Sequence, residues 1–128
     1  MTKDFKKMRR HNFKKLQIWF LAIELIDDNY LFTATLPDYE RYGLRTQMNR
    51  CSVSIASNIS EGSSKRTDRH FLKFLDDSLG SAFEWETQLI VCSRQNFISQ
   101  ELFLKLEDKI QALQSKISNF MDTLDPDN

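Results

Sequence analysis

From Leu106 to Leu124 the apolar residues Leu106, Ile110, Leu113, Ile117, Phe120 and Leu124 alternate steps of four and three. Only an α-helix brings such positions onto one seam, and a seam this regular requires partner helices to cover it. The rest of the chain repeats the pattern. Ile55, Ile59, Met48, Cys51 and Leu44 lie at similar spacing in a second segment, and Phe71, Phe74, Leu75, Leu79, Ala82, Phe83, Leu89 and Ile90 in a third. Breakers are scarce, with 3 Gly and 2 Pro in 128 residues, so long helices joined by short loops are predicted. The expected fold is all-α, an antiparallel up-down-up-down four-helix bundle over 16–124, preceded by a basic arm over 1–15 and followed by a frayed end over 125–128.

The boundaries have local causes. A first helix is predicted from Leu16 to Leu36, ended by Pro37, which pushes its predecessor out of the helical region. It carries two apolar stripes: Leu16, Trp19, Phe20, Ile23, Ile26, Tyr30 and Ala34 on one side, and Ile18, Leu21, Leu25, Phe32 and Leu36 on another. A helix apolar on two sides wants two partners, one within its own chain and one from a second copy. Asp38 is the candidate N-cap of the second helix, and Gly62 its stop, as a left-handed residue. Thr67 and Ser99 are candidate N-caps of the third and fourth, and Glu101 stands four residues before Lys105 as a surface pair.

At 15.1 kDa the chain makes one domain, and no apolar run is long enough to span a membrane. The N-terminus lacks the apolar core of a signal peptide. Cys51 and Cys92 are isolated, as expected of buried reduced thiols in a cytoplasmic protein. The formal net charge of +0 conceals an asymmetry: residues 1–75 hold 14 Lys/Arg against 8 Asp/Glu, and residues 76–128 hold 4 against 10. Either facing helices neutralise one another, or the basic half meets phosphates or an acidic partner.

Three stretches carry a resemblance. Tyr42, Gly43, Leu44, Gln47 and Arg50 form the first. Ser54, Ile55, Asn58, Ile59, Glu61 and Gly62 form the second. Gly80, Ser81, Glu84, Glu86, Thr87, Gln88 and Leu89 form the third. Together they resemble the 23S ribosomal-RNA intervening-sequence protein family, a four-helix bundle family, over Phe13 to about Phe120. The chain departs from the family where Ala56 stands in place of a usual Pro, Ser60 in place of a usual Ala, and Asn49 in place of a second arginine. The resemblance implies a homopentamer of bundles and no enzymatic activity. It also brings relatives that are accessory proteins of diversity-generating retroelements, associated with a reverse transcriptase and with nucleic acid.

No constellation supports catalysis or a cofactor. His11 and His70 are the only histidines, and neither follows a Glu by three as bundle di-metal sites require. "EGSSKR" lacks the spacing and preceding strand of a phosphate loop and reads as a solvated turn. Nucleic acid is the stronger expectation: Lys6, Lys7, Arg9, Arg10, Lys14 and Lys15 in the arm, with Arg41 and Arg45, are candidate RNA or DNA contacts, and His11 and Phe13 are candidate stacking groups. The other expectation is an adaptor for a protein partner such as a reverse transcriptase. Arg50, Ser54, Asn58, Glu61, Gly62, Glu84 and Glu86 are expected to form a structural polar cluster. In it Glu86 pairs with Arg50 and Ser54, Asn58 meets carbonyls near Gly62, and Gly80–Ser81 is a close helix contact.

Overall fold

The structure is a computed structural model, which describes residues 10–128. Those residues form four long helices and no strands: α1 (Gln17–Thr33), α2 (Leu44–Ser63), α3 (Asp68–Arg94) and α4 (Gln100–Met121). Short 3₁₀ turns, Phe13–Lys15 and Asp38–Glu40, precede α1 and α2. α1 packs on α2 and α4, and α3 packs on α2 and α4. The four apolar faces enclose one core, filled by Trp85, Phe71, Met48, Ile55, Ile59, Leu75, Leu89 and the α4 seam from Leu106 to Ile117.

Of the two stripes on α1, the chain's own core takes Ile18, Leu25 and Phe32 and, beyond the helix end, Leu36. The other stripe is left half covered. Trp19, Ile23 and Ile26 are partly buried, whereas Phe20 is 55% and Tyr30 47% exposed, and neighbouring Leu31 is 75% exposed. Both α1 and α2 differ from expectation at their ends. α1 stops at Thr33, because the residues leading into Pro37 tighten to i−3 bonds: Thr35 N–H donates to Phe32 O and Leu36 N–H to Thr33 O. Asp38 does not cap α2. It opens the 3₁₀ turn, and the α2 start is served by Glu40, whose Oε1 accepts from Leu44 N–H at 3.0 Å.

Gly62 is not a left-handed stop. No glycine among the described residues has positive φ, and Gly62 lies inside α2. It is glycine because α3 crosses there: an added Cβ would lie 2.7 Å from Phe74 Cβ and 2.8 Å from Phe71 Cδ1. Gly80, expected at a helix contact, has nothing within 4 Å of an added Cβ; the contact belongs to Ser81. Among the described residues the left-handed one is Asn96, φ 61°, ending α3. Phe97 N–H returns to Cys92 O and Asn96 N–H to Ser93 O, the doubly bonded C-terminal motif that satisfies free carbonyls.

Thr67 and Ser99 cap α3 and α4 as expected, accepting from His70 N–H and Leu102 N–H, both at 3.2 Å. The end at 125–128, expected to fray, is tied to the start of α3: Asp68 Oδ2 accepts from Asp125 N–H and Asn128 O from Arg69 N–H. The Glu101–Lys105 pair does not form; among the described residues the ion pair within 4 Å is Lys109–Asp28 at 2.7 Å.

Inside the core, polar side chains connect three helices. Trp85 Nε1–H donates to Asn29 Oδ1 at 2.9 Å, Asn29 Nδ2 donates to Asn49 Oδ1 at 2.8 Å, and Thr33 Oγ1 donates to the same oxygen at 2.8 Å. At the α2–α3 contact, Ser78 Oγ–H donates to Ile55 O and Cys51 Sγ–H to Ser81 O.

Gly62→Ala is expected to destabilise the fold by about 1–3 kcal/mol, the cost of overpacking where the obstructing atoms are the Phe74 Cβ and the buried Phe71 ring. Urea unfolding checks it, with Gly80→Ala as a neutral or mildly stabilising control in the same assay.

Candidate functional site

The basic candidates divide into separate groups. Lys6, Lys7 and Arg9 lie outside the described residues. Arg10 and His11 are fastened to the end of α2: Arg10 Nε–H donates to Ser64 O at 2.9 Å and His11 N–H to Ser63 O at 3.1 Å. Helix C-termini leave carbonyls open and carry partial negative charge, so a cation and an N–H donor are both favoured there. His11 and Phe13, expected as stacking groups, have found partners within the chain. The His11 ring centroid lies 5.1 Å from that of Phe71 and 6.1 Å from that of Phe120, and the Phe13 ring meets Trp19 edge-on at 5.1 Å.

This clasp brings Arg10 to the α2–α3 turn, where Arg66 and Arg69 are exposed and Lys65 Nζ sits 5.0 Å from the centre of the Phe74 ring. The turn Phe13–Lys15 also touches α2, with Lys14 and Lys15 exposed. One end of the molecule therefore presents Arg10, Lys14, Lys15, Lys65, Arg66 and Arg69. Sequence reasoning missed the last three. The available signal was three cations within five residues of a turn, read only as solvation.

Arg41 and Arg45 stand at the other end of α2, about 27 Å from Ser63 at 1.5 Å per residue. They do not join the arm. Arg45 is occupied, with Nε–H donating to Thr33 O at 3.0 Å and Nη2–H to Leu36 O at 2.7 Å, closing the free carbonyls at the α1 end. Arg41 is exposed.

The polar cluster is brought together in part. A groove of about 230 Å³ between α2 and α3 is lined by Gln47, Arg50, Cys51 and Ser54 from one side and Ser81 and Glu84 from the other. Ser54 and Ser81 hydroxyls share a bond of 2.9 Å, and Asn58 Nδ2 donates to Ser54 O and Oγ. Asn58 thus turns back one helical turn instead of reaching carbonyls near Gly62. Glu61 is exposed. Glu86 does not pair with Arg50 or Ser54. It faces α4, where its Oε2 accepts from Gln111 Nε2 at 2.9 Å and its Oε1 from Gln114 Nε2 at 2.8 Å. The helical phase placed Glu86 on an inward stripe correctly, but the stripe is shared by two partner helices, and periodicity does not say which one a side chain meets.

Burial pushes the Cys51 thiol up to about 12, helped by the charge of Glu84 and a hydrogen bond to it; burial likewise pushes Cys92 up to about 11, helped by Glu40. Both are held as thiols rather than thiolates, and the arrangement offers no activated nucleophile. Among the described residues no group of three or more His, Cys, Asp or Glu is placed to hold a metal ion, and no helix is long and apolar enough to cross a membrane.

The family model for 23S rRNA-intervening sequence proteins matches residues 14–119. The chain belongs to this family. The groove between α2 and α3 gathers residues from all three stretches that carry the intervening-sequence protein resemblance: Gln47 and Arg50, Ser54, and Ser81 and Glu84. A crystal structure of a protein of unknown function from the S23 ribosomal protein family of Bacteroides thetaiotaomicron VPI-5482 is similar in fold. Its TM-score is 0.72 at 20% identity, covering 81% of this chain and 97% of that one. No curated protein matches the chain in sequence.

Two outcomes are expected. Glu86→Ala should cost about 1–3 kcal/mol, because the buried amide of Gln114 loses its acceptor while exposed Gln111 turns to water, whereas Arg50→Ala, at an exposed position, should stay within about 0.5 kcal/mol; chemical denaturation of both variants checks the assignment. The raised thiol values predict that folded protein at pH 8 alkylates far more slowly than unfolded protein. With folded values near 11 and 12 above the ordinary 9.0, the thiols' contribution to stability is full below pH 9 and lost as pH rises towards 12. Iodoacetamide labelling and pH-dependent melting read these two effects.

Proposed function

We propose that this protein is a non-enzymatic, oligomeric, cytoplasmic scaffold that binds nucleic acid through the basic end at the α2–α3 turn. The observation that carries the reading is the clasp of Arg10 and His11 onto Ser64 and Ser63, which adds Arg10 to Lys65, Arg66 and Arg69. Contacts of this kind act on phosphates, are largely indifferent to base sequence and weaken steeply with salt. The family's tie by name to 23S ribosomal RNA supports the choice of nucleic acid.

In this reading the four helices run up-down-up-down. The contacts of α2 with α3 support it: Gly62 meets Phe71 and Phe74 while Cys51 meets Ser81, so positions rise along one helix as they fall along the other. The oligomer, a pentamer by resemblance, covers the half-open face of α1 at Phe20, Tyr30 and Leu31. Several copies would multiply a modest basic patch. A second reading, an adaptor for a partner enzyme such as a reverse transcriptase, rests on the α2–α3 groove, where Arg50 and Glu84 line a polar surface.

Retardation of RNA and DNA at low and moderate salt tests the proposal. Reversing Lys65, Arg66 and Arg69 to Glu should leave the helical circular dichroism intact and lower affinity at least tenfold; unchanged affinity overturns the assignment of this surface. Ultracentrifugation at dilute concentration tests assembly, and a single 15.1 kDa species would reject it. A stoichiometric protein partner retained after nuclease treatment would favour the adaptor.

A further inference from the structure

The basic end at the α2–α3 turn is not bare. Residues 122–128 follow α4 and read DTLDPDN, with Asp122, Asp125 and Asp127 and no cation. The sequence builds a fixed turn here. Pro126 stands at the second position of a β-turn closed by Asn128 N–H on Asp125 O at 3.1 Å. Asp125 Oδ1 accepts from Asp127 N–H at 2.9 Å, as an Asp opening a tight turn does, and its Oδ2 accepts from Asn128 Nδ2 at 3.2 Å. Buried Leu124 anchors the turn in the core.

The turn is fastened across the first residues of α3. Asp68 Oδ2 accepts from Asp125 N–H at 3.0 Å, and Asn128 O accepts from Arg69 N–H at 2.7 Å. Those bonds set Asp125 and Asp127 against the stretch that carries exposed Arg66 and Arg69. Arg69 gives its own N–H to the turn, and the Cα of Arg66 lies at most about 8 Å from that of Asp68 along the chain. Separations of this size fall within a Debye length, about 10 Å at 0.1 M salt, so the carboxylates act on both arginines. Among the described residues neither arginine forms an ion pair within 4 Å. The turn therefore lowers the local positive potential while leaving both guanidinium groups available. Its hold is light. Residues 125–128 are all exposed and two hydrogen bonds tie them to α3, which places the turn at the low end of local stability.

We infer that the turn at 125–128 is an acidic gate over the basic end: it competes with phosphates for Arg66 and Arg69, and bound nucleic acid displaces it. The inference rests on the nucleic-acid reading of that end and names its regulation.

Fluorescence anisotropy of labelled oligouridylate and of a labelled DNA duplex, at fixed low salt, tests the gate in the full chain. Two variants separate charge from position. Asp125→Asn combined with Asp127→Asn removes both charges, while the new amide at 125 keeps an acceptor for the turn. Leu124→Ala keeps the charges and removes the anchor. If circular dichroism shows Leu124→Ala unfolded, Pro126→Gly, which loosens the turn at unchanged charge, is read in its place. Each variant should bind at least about threefold tighter than the wild type, the scale of one or two exposed charge interactions. Hydrogen exchange across 122–128 of the wild type should quicken in the complex. Wild-type affinity in either variant, or unchanged exchange on binding, overturns the gate and leaves the basic end standing. Binding of neither probe by the wild type or any variant removes the basic end as well, so the two failures are told apart.

Discussion

A hydrogen bond inside the core, from the indole of Trp85 to Asn29, fixes how the helices of this protein are set against one another. Asn29 is fully buried, so its amide must be satisfied by the protein itself, and an unsatisfied one would cost about 1–3 kcal/mol. Its oxygen is taken by α3 through Trp85, and its nitrogen goes to α2 through Asn49, which also receives Thr33 of α1. Sliding any of the three helices by a turn would leave these groups without partners in a dry interior. Apolar packing tolerates such slips more readily, so the polar chain supplies specificity that the leucine and isoleucine seams do not.

The same device explains a departure from the family pattern. Asn49 stands where an arginine is common, which at first looks like a weakened basic surface. In the fold it is the acceptor for two donors from α1. The basic character of the molecule lies instead at the far end of α2, where the arm is fastened beside Lys65, Arg66 and Arg69.

Much of the fold was legible because it depends on period and punctuation. The α4 seam, the caps Thr67 and Ser99 and the four helical segments each follow from residues close together in sequence. What escaped depends on neighbours distant in sequence. Gly62 looks like a stop in any linear reading, and only the Phe71 ring and the Phe74 Cβ reveal why no Cβ fits. Glu86 sits on the predicted inward side, yet its amide partners come from α4, 25 and 28 residues away. Arg45 looks like a free surface cation, but it closes the carbonyls of Thr33 and Leu36. The buried chain through Asn29 was invisible for a simpler reason: an asparagine directly after Asp27 and Asp28 carries no local mark of being buried or of what it will bond.

The two tryptophans sit in contrasting surroundings, and that makes them a built-in pair of optical reporters. Trp85 is wholly buried with its N–H on an amide oxygen, so its emission should stay blue until the helices separate. Trp19 lies partly buried on the half-covered side of α1, with Phe13 against its ring. Its colour should follow whatever comes to rest on that side. Replacing either indole by phenylalanine would isolate the other, so that unfolding and assembly could be watched separately in one sample without an added label.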